Sequence, residues 1–164
     1  MKPRLRRRPR NINDSVIDRQ MWTRIIGIGA VMGTVSLVIY DLCLPGGLIG
    51  GFEHLGAGAA FQLDVARTTV FTALVMMQLF NALNSRSDTE SAFVSMFANK
   101  WLWGSIVLAA ILQVAVVEWT LLQAAFGTAS LDAAHWGLAI GAGVVVLLVE
   151  EIIKLARRAK LARR

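Results

Sequence analysis

The chain has 164 residues, a length that suits one domain of ordinary size. Hydrophobic residues make up 55% of it and charged residues only 17%, against about 25% in a typical soluble domain, which argues against an ordinary soluble fold. The net charge of +6 and the arginine-rich start are compatible with a nucleic-acid partner, but basic residues that flank apolar stretches favour a membrane protein whose flanks stay in the cytoplasm.

The first 20 residues form a basic, proline-containing segment that we expect to be exposed. Asn13 and Asp14 are suited to cap a short interfacial helix at the membrane surface. Polar residues fill this segment up to the first apolar stretch, so we expect no secretory signal. Cys43 is the single cysteine, which rules out a disulfide within the chain.

Four apolar segments follow, and each has a length close to the roughly 20 residues that cross a bilayer as a helix. None of them shows the polar face of an amphipathic helix in a soluble bundle. We therefore predict an all-α, integral membrane four-helix bundle over residues 21–158, followed by a basic tail at 159–164. The predicted spans are about 22–44, 67–85, 100–118 and 134–153.

The distribution of basic residues predicts the orientation of these spans. Lys and Arg occur at both ends of the chain and in the loop 85–100, whereas the loops 45–66 and 118–134 contain none. Cytoplasmic loops of membrane proteins carry the excess of Lys and Arg. We therefore expect both termini in the cytoplasm, in a multi-pass protein of the plasma (inner) membrane.

Glycines recur in the first and fourth spans. Gly29 and Gly33 lie four residues apart, as do Gly137 and Gly141. Small residues at this spacing let another helix approach closely. The pattern predicts that both spans pack against neighbouring helices.

The second span carries polar residues at helical spacing. Gln78, Asn81 and Ser85 share one stripe of a helix. A carboxamide in hydrocarbon needs a polar partner, which is either another helix or a hydrated path for an ion. Under the second interpretation Gln78 is the candidate metal-cation ligand, and Asn81 is a weaker candidate.

The remaining polar residues suggest no chemistry in this chain. Glu150 and Lys154 lie four residues apart, and we expect a solvated pair at the membrane interface. His54 and His135 each stand alone near the loops predicted to face outside. The sequence contains neither a phosphate-binding loop nor a nucleophile elbow, so we predict no catalytic residue and no bound cofactor here.

Three stretches of the sequence are recognisable: Ala66–Phe93 with the run NALNSRS, Asn99–Gln113, and the stretch from His135-Trp136 to Glu150–Arg158. The first resembles the eighth transmembrane helix and the following loop of P-type cation pumps of the calcium-ATPase kind. The second resembles their ninth helix, and the third resembles their tenth helix and terminal segment. The Arg8-Pro9-Arg10 start and the first span are similar to the seventh helix and the loop before it.

The resemblance implies a C-terminal transmembrane domain of four helices. Gln78 falls at the position where the eighth helix of these pumps offers one side chain to the cation. Two-site calcium pumps have glutamate there, whereas pumps that carry one calcium often have glutamine. The implied transported ion is calcium or another cation. The implied partners are the bilayer, the other helices and the cytoplasmic domains, either in the same chain or in a separate one.

Two other functions fit the same residues. The chain can be a non-transporting membrane scaffold or regulator that packs against the helices of a partner. It can also be a membrane-anchored binder of anionic lipid or nucleic acid that uses the basic arm, although we expect no nucleic-acid partner. Because the cytoplasmic domains and the first six helices of such pumps are missing, the resemblance implies that the chain is a separate fragment or a piece of a longer pump, and we expect no ATPase activity from it alone.

Overall fold

A computed structural model describes residues 19–52, 58–84 and 100–162. Most of the predicted basic arm, His54, Ser85 and the loop that follows Ser85 lie outside the described residues. The described residues form five α-helices, which confirms the all-α prediction for this part of the chain. The helices are α1 (Arg19–Cys43), α2 (Ala59–Asn84), α3 (Lys100–Glu118), α4 (Thr120–Phe126) and α5 (Ala133–Ala162).

Three of these helices are long and apolar enough to cross a bilayer. The suitable segments are Met21–Cys43 in α1, Ala60–Asn84 in α2 and Trp101–Glu118 in α3. Large apolar side chains on these helices, such as Leu37 and Leu108, face outward, which suits contact with lipid rather than water. The fourth span, which we predicted at 134–153, falls within α5 and stays a prediction, as does the four-span bundle.

The helices extend beyond the apolar segments seen in the sequence. α2 begins at Ala59, although its uncharged stretch begins only after Arg67. Arg67 and Asp64 lie one turn apart on the helix surface, where the guanidinium Nη1 is 3.7 Å from the carboxylate Oδ1. Hydropathy therefore marks the apolar part of α2 and not the point where the helix starts.

A short helix occupies a segment that we expected to be a loop. Trp119 is extended, with φ −91° and ψ 116°, and it separates α3 from α4. Gly127, at φ 65°, ends α4 in the left-handed region that favours glycine. Gln123 fixes the turn that follows, because its Nε2 donates to the Val117 carbonyl at 2.6 Å and to Ser130 Oγ at 2.8 Å.

α2 is the central helix of the described chain. It packs most extensively against α5, then against α1, and only lightly against α3. A smaller apolar cluster of Val65, Val117, Ala129 and Leu131 joins the start of α2 to the end of α3. The main core contains Ile39, Cys43, Ala66, Ala73, Met76, Met77, Ala139, Ala142 and Val146.

α2 and α5 approach each other closely at Gly143. A Cβ at this position would lie 2.6 Å from Cδ2 of Phe80 and 3.2 Å from the Met76 carbonyl oxygen. At Gly137 and Gly141, by contrast, an added Cβ meets nothing within 4 Å, and the same holds for the glycine pair of α1. Among the glycines of the described helices, the tight contact is therefore at Gly143 and not at either predicted pair.

Gly143→Ala should destabilise the protein by about 1 kcal/mol or more, because overpacking forces neighbouring groups to move. The measurement is the free energy of unfolding in detergent, followed by the loss of helical circular dichroism. Gly141→Ala is the matched control, and it should be neutral or slightly stabilising because alanine favours the helix. Equal effects of the two substitutions would contradict the close contact at Gly143.

Candidate functional site

The polar residues of α2 point in two directions. Gln78, in the second half of the helix, is exposed, and Asn81 is half-buried. Asn84, one turn further, is fully buried. No hydrogen-bond partner for Gln78 lies in the part of the chain that the structure describes. A carboxamide that faces outward from a membrane helix requires a polar partner beyond these residues.

A buried ion pair joins α1 to α5 at the end of the bundle where α1 begins and α2 and α5 finish, here called the charged end. Nη2 of Arg24 lies 3.3 Å from Oε1 of Glu150. The Glu150 side chain is only 2% exposed and the Arg24 side chain 19%. An ion at such depth must be paired, because removing a charge from water costs several kcal/mol. The pair therefore holds the two helices in one arrangement.

A second buried cation lies at the charged end. Lys154, which is 3% exposed, donates from Nζ to the Asn84 carbonyl oxygen at 2.8 Å and also to Asn84 Oδ1. A cation near the C-terminal end of a helix opposes the negative end of the helix dipole. Lys154 thus ties α5 to the last residue of α2 that the structure describes.

The solvated pair between Glu150 and Lys154 that the sequence suggested is wrong. Both side chains are buried, and Lys154 Nζ lies 3.5 Å from Oε1 of Glu151, three residues away, while Glu150 pairs with Arg24. Spacing along one helix could not reveal this, because the competing partners come from α1 and α2. The result is a polar cluster that joins three helices.

The charged cluster keeps unused hydrogen-bonding capacity. Oε2 of Glu150 and Nδ2 of Asn84 are both buried without a partner in the described chain. Most buried polar atoms in proteins are paired, so the cluster could accept a further polar partner from outside the described residues. The described residues contain no group of three or more His, Cys, Asp or Glu side chains that could hold a metal ion.

The opposite end of the bundle, where α1 ends and α5 begins, is here called the loop end. The sequence suggested that His135 stands alone, but its side chain at this end is buried and has polar partners. Its Nδ1 lies 2.6 Å from Oδ1 of Asp132, and its Nε2 lies 3.0 Å from the Phe52 carbonyl oxygen. Oδ1 of Asp132 also accepts from the His135 backbone N–H at 2.9 Å, which makes Asp132 the N-terminal cap of α5. These contacts fasten the loop after α1 to the start of α5.

Polar side chains also join α2 to the segments around α3. Gln113 Nε2 of α3 donates to Oγ1 of Thr72 at 2.9 Å in a buried position. Thr68 Oγ1 accepts from the Ala129 backbone N–H at 2.9 Å and donates to the Asp64 carbonyl at 2.7 Å. Sequence reasoning missed these threonines, because a threonine in an apolar helix gives no signal of its partner.

The fold, the spans and the polar residues define a multi-pass helical membrane protein. The family profile described as "Cation transporting ATPase, C-terminus" matches residues 2–156. The chain therefore belongs to this family of C-terminal regions of cation-transporting ATPases. The resemblance to the C-terminal transmembrane domain of P-type calcium pumps, which the sequence suggested, is confirmed.

Curated relatives give the same assignment. The chain is 28% identical to Calcium-transporting ATPase 1 of Bacillus cereus (strain ATCC 10987 / NRS 248) over 94% of its own length and 18% of that protein. It is 30% identical to Calcium-transporting ATPase type 2C member 2 of Mus musculus over 92% of its own length and 15% of that protein. The chain thus spans less than a fifth of the length of these relatives.

Glu150→Gln should lower the free energy of unfolding by about 3 kcal/mol, because it removes one charge of an ion pair in which the Arg24 side chain is largely buried. Asp64→Asn is the matched control. It breaks an exposed pair, with Arg67 62% and Asp64 50% exposed, and should cost about 1 kcal/mol at most. Unfolding of both variants in detergent measures the difference. Similar small losses in the two variants would show that the Arg24–Glu150 pair stabilises little.

The helix cap at Asp132 predicts a dependence on pH. The His135 backbone N–H and then its ring lower the pKa of the Asp132 carboxyl below its ordinary value. A carboxyl of lowered pKa stabilises the fold above its unfolded pKa of about 4, and the contribution is lost as the pH falls through the lower folded pKa. Asp132→Asn keeps a capping side chain without titration.

The Asp132→Asn variant should therefore lose less stability than the wild type when the pH falls from about 6 to about 3. Unfolding in detergent at a series of pH values measures this difference. Ser130→Ala, a neighbouring change that does not titrate, should follow the wild-type profile. Parallel profiles for wild type and Asp132→Asn would remove Asp132 as a source of acid sensitivity.

Proposed function

We propose that the chain is the C-terminal transmembrane module of a P-type cation-transport ATPase, and that it places Gln78 on the cation path. The observation that carries the proposal is the outward position of Gln78 on a helix whose other sides pack against α1 and α5. A side chain on such a braced helix can face the transport helices at a fixed depth. Calcium is the favoured ion, because the relatives are named calcium-transporting ATPases.

The chemistry of a carboxamide suits this role. Its carbonyl oxygen can coordinate a hard cation such as calcium, but it adds no negative charge to the site. Gln78 would thus complete a site whose charge comes from other helices. Asn81, half-buried and one turn further along α2, is the weaker second ligand.

The same proposal includes the placement of the chain in the cell. Four spans, at about 22–44, 67–85, 100–118 and 134–153, would put both termini and the charged end in the cytoplasm of a plasma (inner) membrane. The partners are the bilayer and the remaining helices and cytoplasmic domains of the pump, in the same chain or a separate one.

The orientation can be tested with a cysteine at position 130, in the loop expected outside. Reaction of this cysteine with an impermeant maleimide only from the cytoplasmic side would refute the orientation.

The alternative function is a non-transporting scaffold or regulator that packs against partner helices. The outward face of α2 supports this function as well, since Gln78 could donate a plain interhelical hydrogen bond. The two functions differ in what Gln78 contacts, and a substitution there separates them.

Gln78→Ala should weaken the dependence of ATPase activity on the cation and leave assembly intact, because it removes one oxygen from the path. Gln78→Glu should raise the affinity for the cation, since a carboxylate near a cation binds it more strongly than an amide does. The measurement is cation-dependent ATPase activity after co-expression with a chain that supplies the missing domains.

Gln113→Ala is the matched control. It removes a carboxamide that is bonded inside the bundle to Thr72. This change should lower stability by about 0.6 kcal/mol, an average for such bonds in one membrane protein, and leave cation affinity unchanged. If both Gln78 variants assemble and keep the wild-type cation dependence, the ligand role is rejected and the scaffold is favoured.

A further inference from the structure

The loop after α1 has a built shape rather than an irregular one. Phe52 N–H donates to the Leu42 carbonyl at 3.1 Å, so the chain returns to the end of α1. The two oxygens of Asp41 accept from the Leu48 N–H at 2.9 Å and the Ile49 N–H at 2.8 Å. One carboxylate therefore fixes the tip of the loop, here defined as Leu48 and Ile49.

Glycine is required where the loop wraps around Asp41. A Cβ on Gly47 would lie only 2.0 Å from the Asp41 carbonyl oxygen, and this backbone cannot yield as a flexible side chain could. Gly46 and Gly51 have φ of 74° and 108°, which L-residues with side chains rarely adopt. The sequence thus builds a compact turn that presents its tip in one direction.

The tip is apolar and exposed. Leu48 is 99% exposed and Ile49 is 65% exposed. The residues from Leu42 to Phe52 carry no charge. A loop that holds two large aliphatic side chains away from the protein is costly in water, and it indicates a contact outside the described chain.

The backbone at the tip is prepared for a weakly polar environment. An unpaired N–H costs free energy in an apolar medium, but Asp41 accepts from the N–H groups of both tip residues. The tip lies only five residues beyond Cys43, where the membrane-spanning part of α1 ends. At the same end of the bundle Trp119 is 60% exposed, and tryptophan is enriched at the membrane–water boundary.

We propose that Leu48 and Ile49 insert into the lipid leaflet at the loop end, at the boundary between headgroups and acyl chains. The occupant of this surface is therefore lipid, and the loop is a membrane anchor beside α1 in addition to the spans. Asp41 positions the tip by holding its backbone and remains at the headgroup level.

The test uses the full chain reconstituted in vesicles of phosphatidylcholine and phosphatidylglycerol. In a Cys43→Ala background, Leu48→Cys is labelled with an environment-sensitive fluorophore, and Ser130→Cys, at an exposed polar turn, is the reference. The label at position 48 should emit at shorter wavelength and be quenched by nitroxide-labelled lipid but not by aqueous iodide. The label at position 130 should show the reverse.

Two outcomes would overturn the proposal. Quenching of the position-48 label by iodide would place the tip in water, and protection from both quenchers would mean that protein covers it. Gly47→Ala supplies a second variant, because its Cβ collides with Asp41 and should move the label at position 48 toward water. Gly58→Ala, whose Cβ would meet nothing within 4 Å, should leave the label in lipid. Retention of the lipid signal in Gly47→Ala would show that Asp41 does not position the tip.

Discussion

The buried carboxylate of Glu150 is the constraint on which the arrangement of the helices depends. A charge that is excluded from water is tolerated only beside a counter-charge, and Lys154, one turn further along α5, contacts Glu151 and Asn84 instead. The counter-charge comes from Arg24 of α1, although α1 and α5 contact one another only lightly. Lys154, which is also buried, donates to the Asn84 carbonyl oxygen and so joins α2 to α5. One end of the bundle is thus fixed by electrostatics, which have stricter geometry than apolar packing.

The loop end is fixed by different means. His135 lies between an acidic side chain and the Phe52 carbonyl, and Asp132 caps α5 at the same place. α2 is held at the charged end by Lys154 and near its start by the hydrogen bond from the Ala129 backbone N–H to Thr68, while Gln78 in its second half faces outward. The role proposed for Gln78 needs such a fixed support, because a side chain that binds an ion must stay at a defined depth.

Much of the architecture could be predicted from the sequence, because hydropathy and charge bias report directly on membrane spans. α3 ends at Glu118, where its apolar run ends. The partners inside the bundle could not be predicted. Spacing suggested that Glu150 meets Lys154, but tertiary contacts with α1 and α2 displaced that pair. The sequence showed that Gln78, Asn81 and Ser85 share one face of a helix. It could not show which way that face points, because this depends on how α2 packs against the other helices.

The apolar length of α3 has a consequence for how the protein fits its bilayer. The 18 residues Trp101–Glu118 measure about 27 Å, close to a hydrocarbon core of about 30 Å, whereas the 23 residues Met21–Cys43 of α1 measure about 35 Å. The apolar stretch of α1 therefore needs more tilt than that of α3 to match the same bilayer. α3 is also the helix that packs most lightly against α2. Hydrophobic mismatch in a thicker or thinner membrane would therefore act first on α3, with the Gln113–Thr72 hydrogen bond as its pivot.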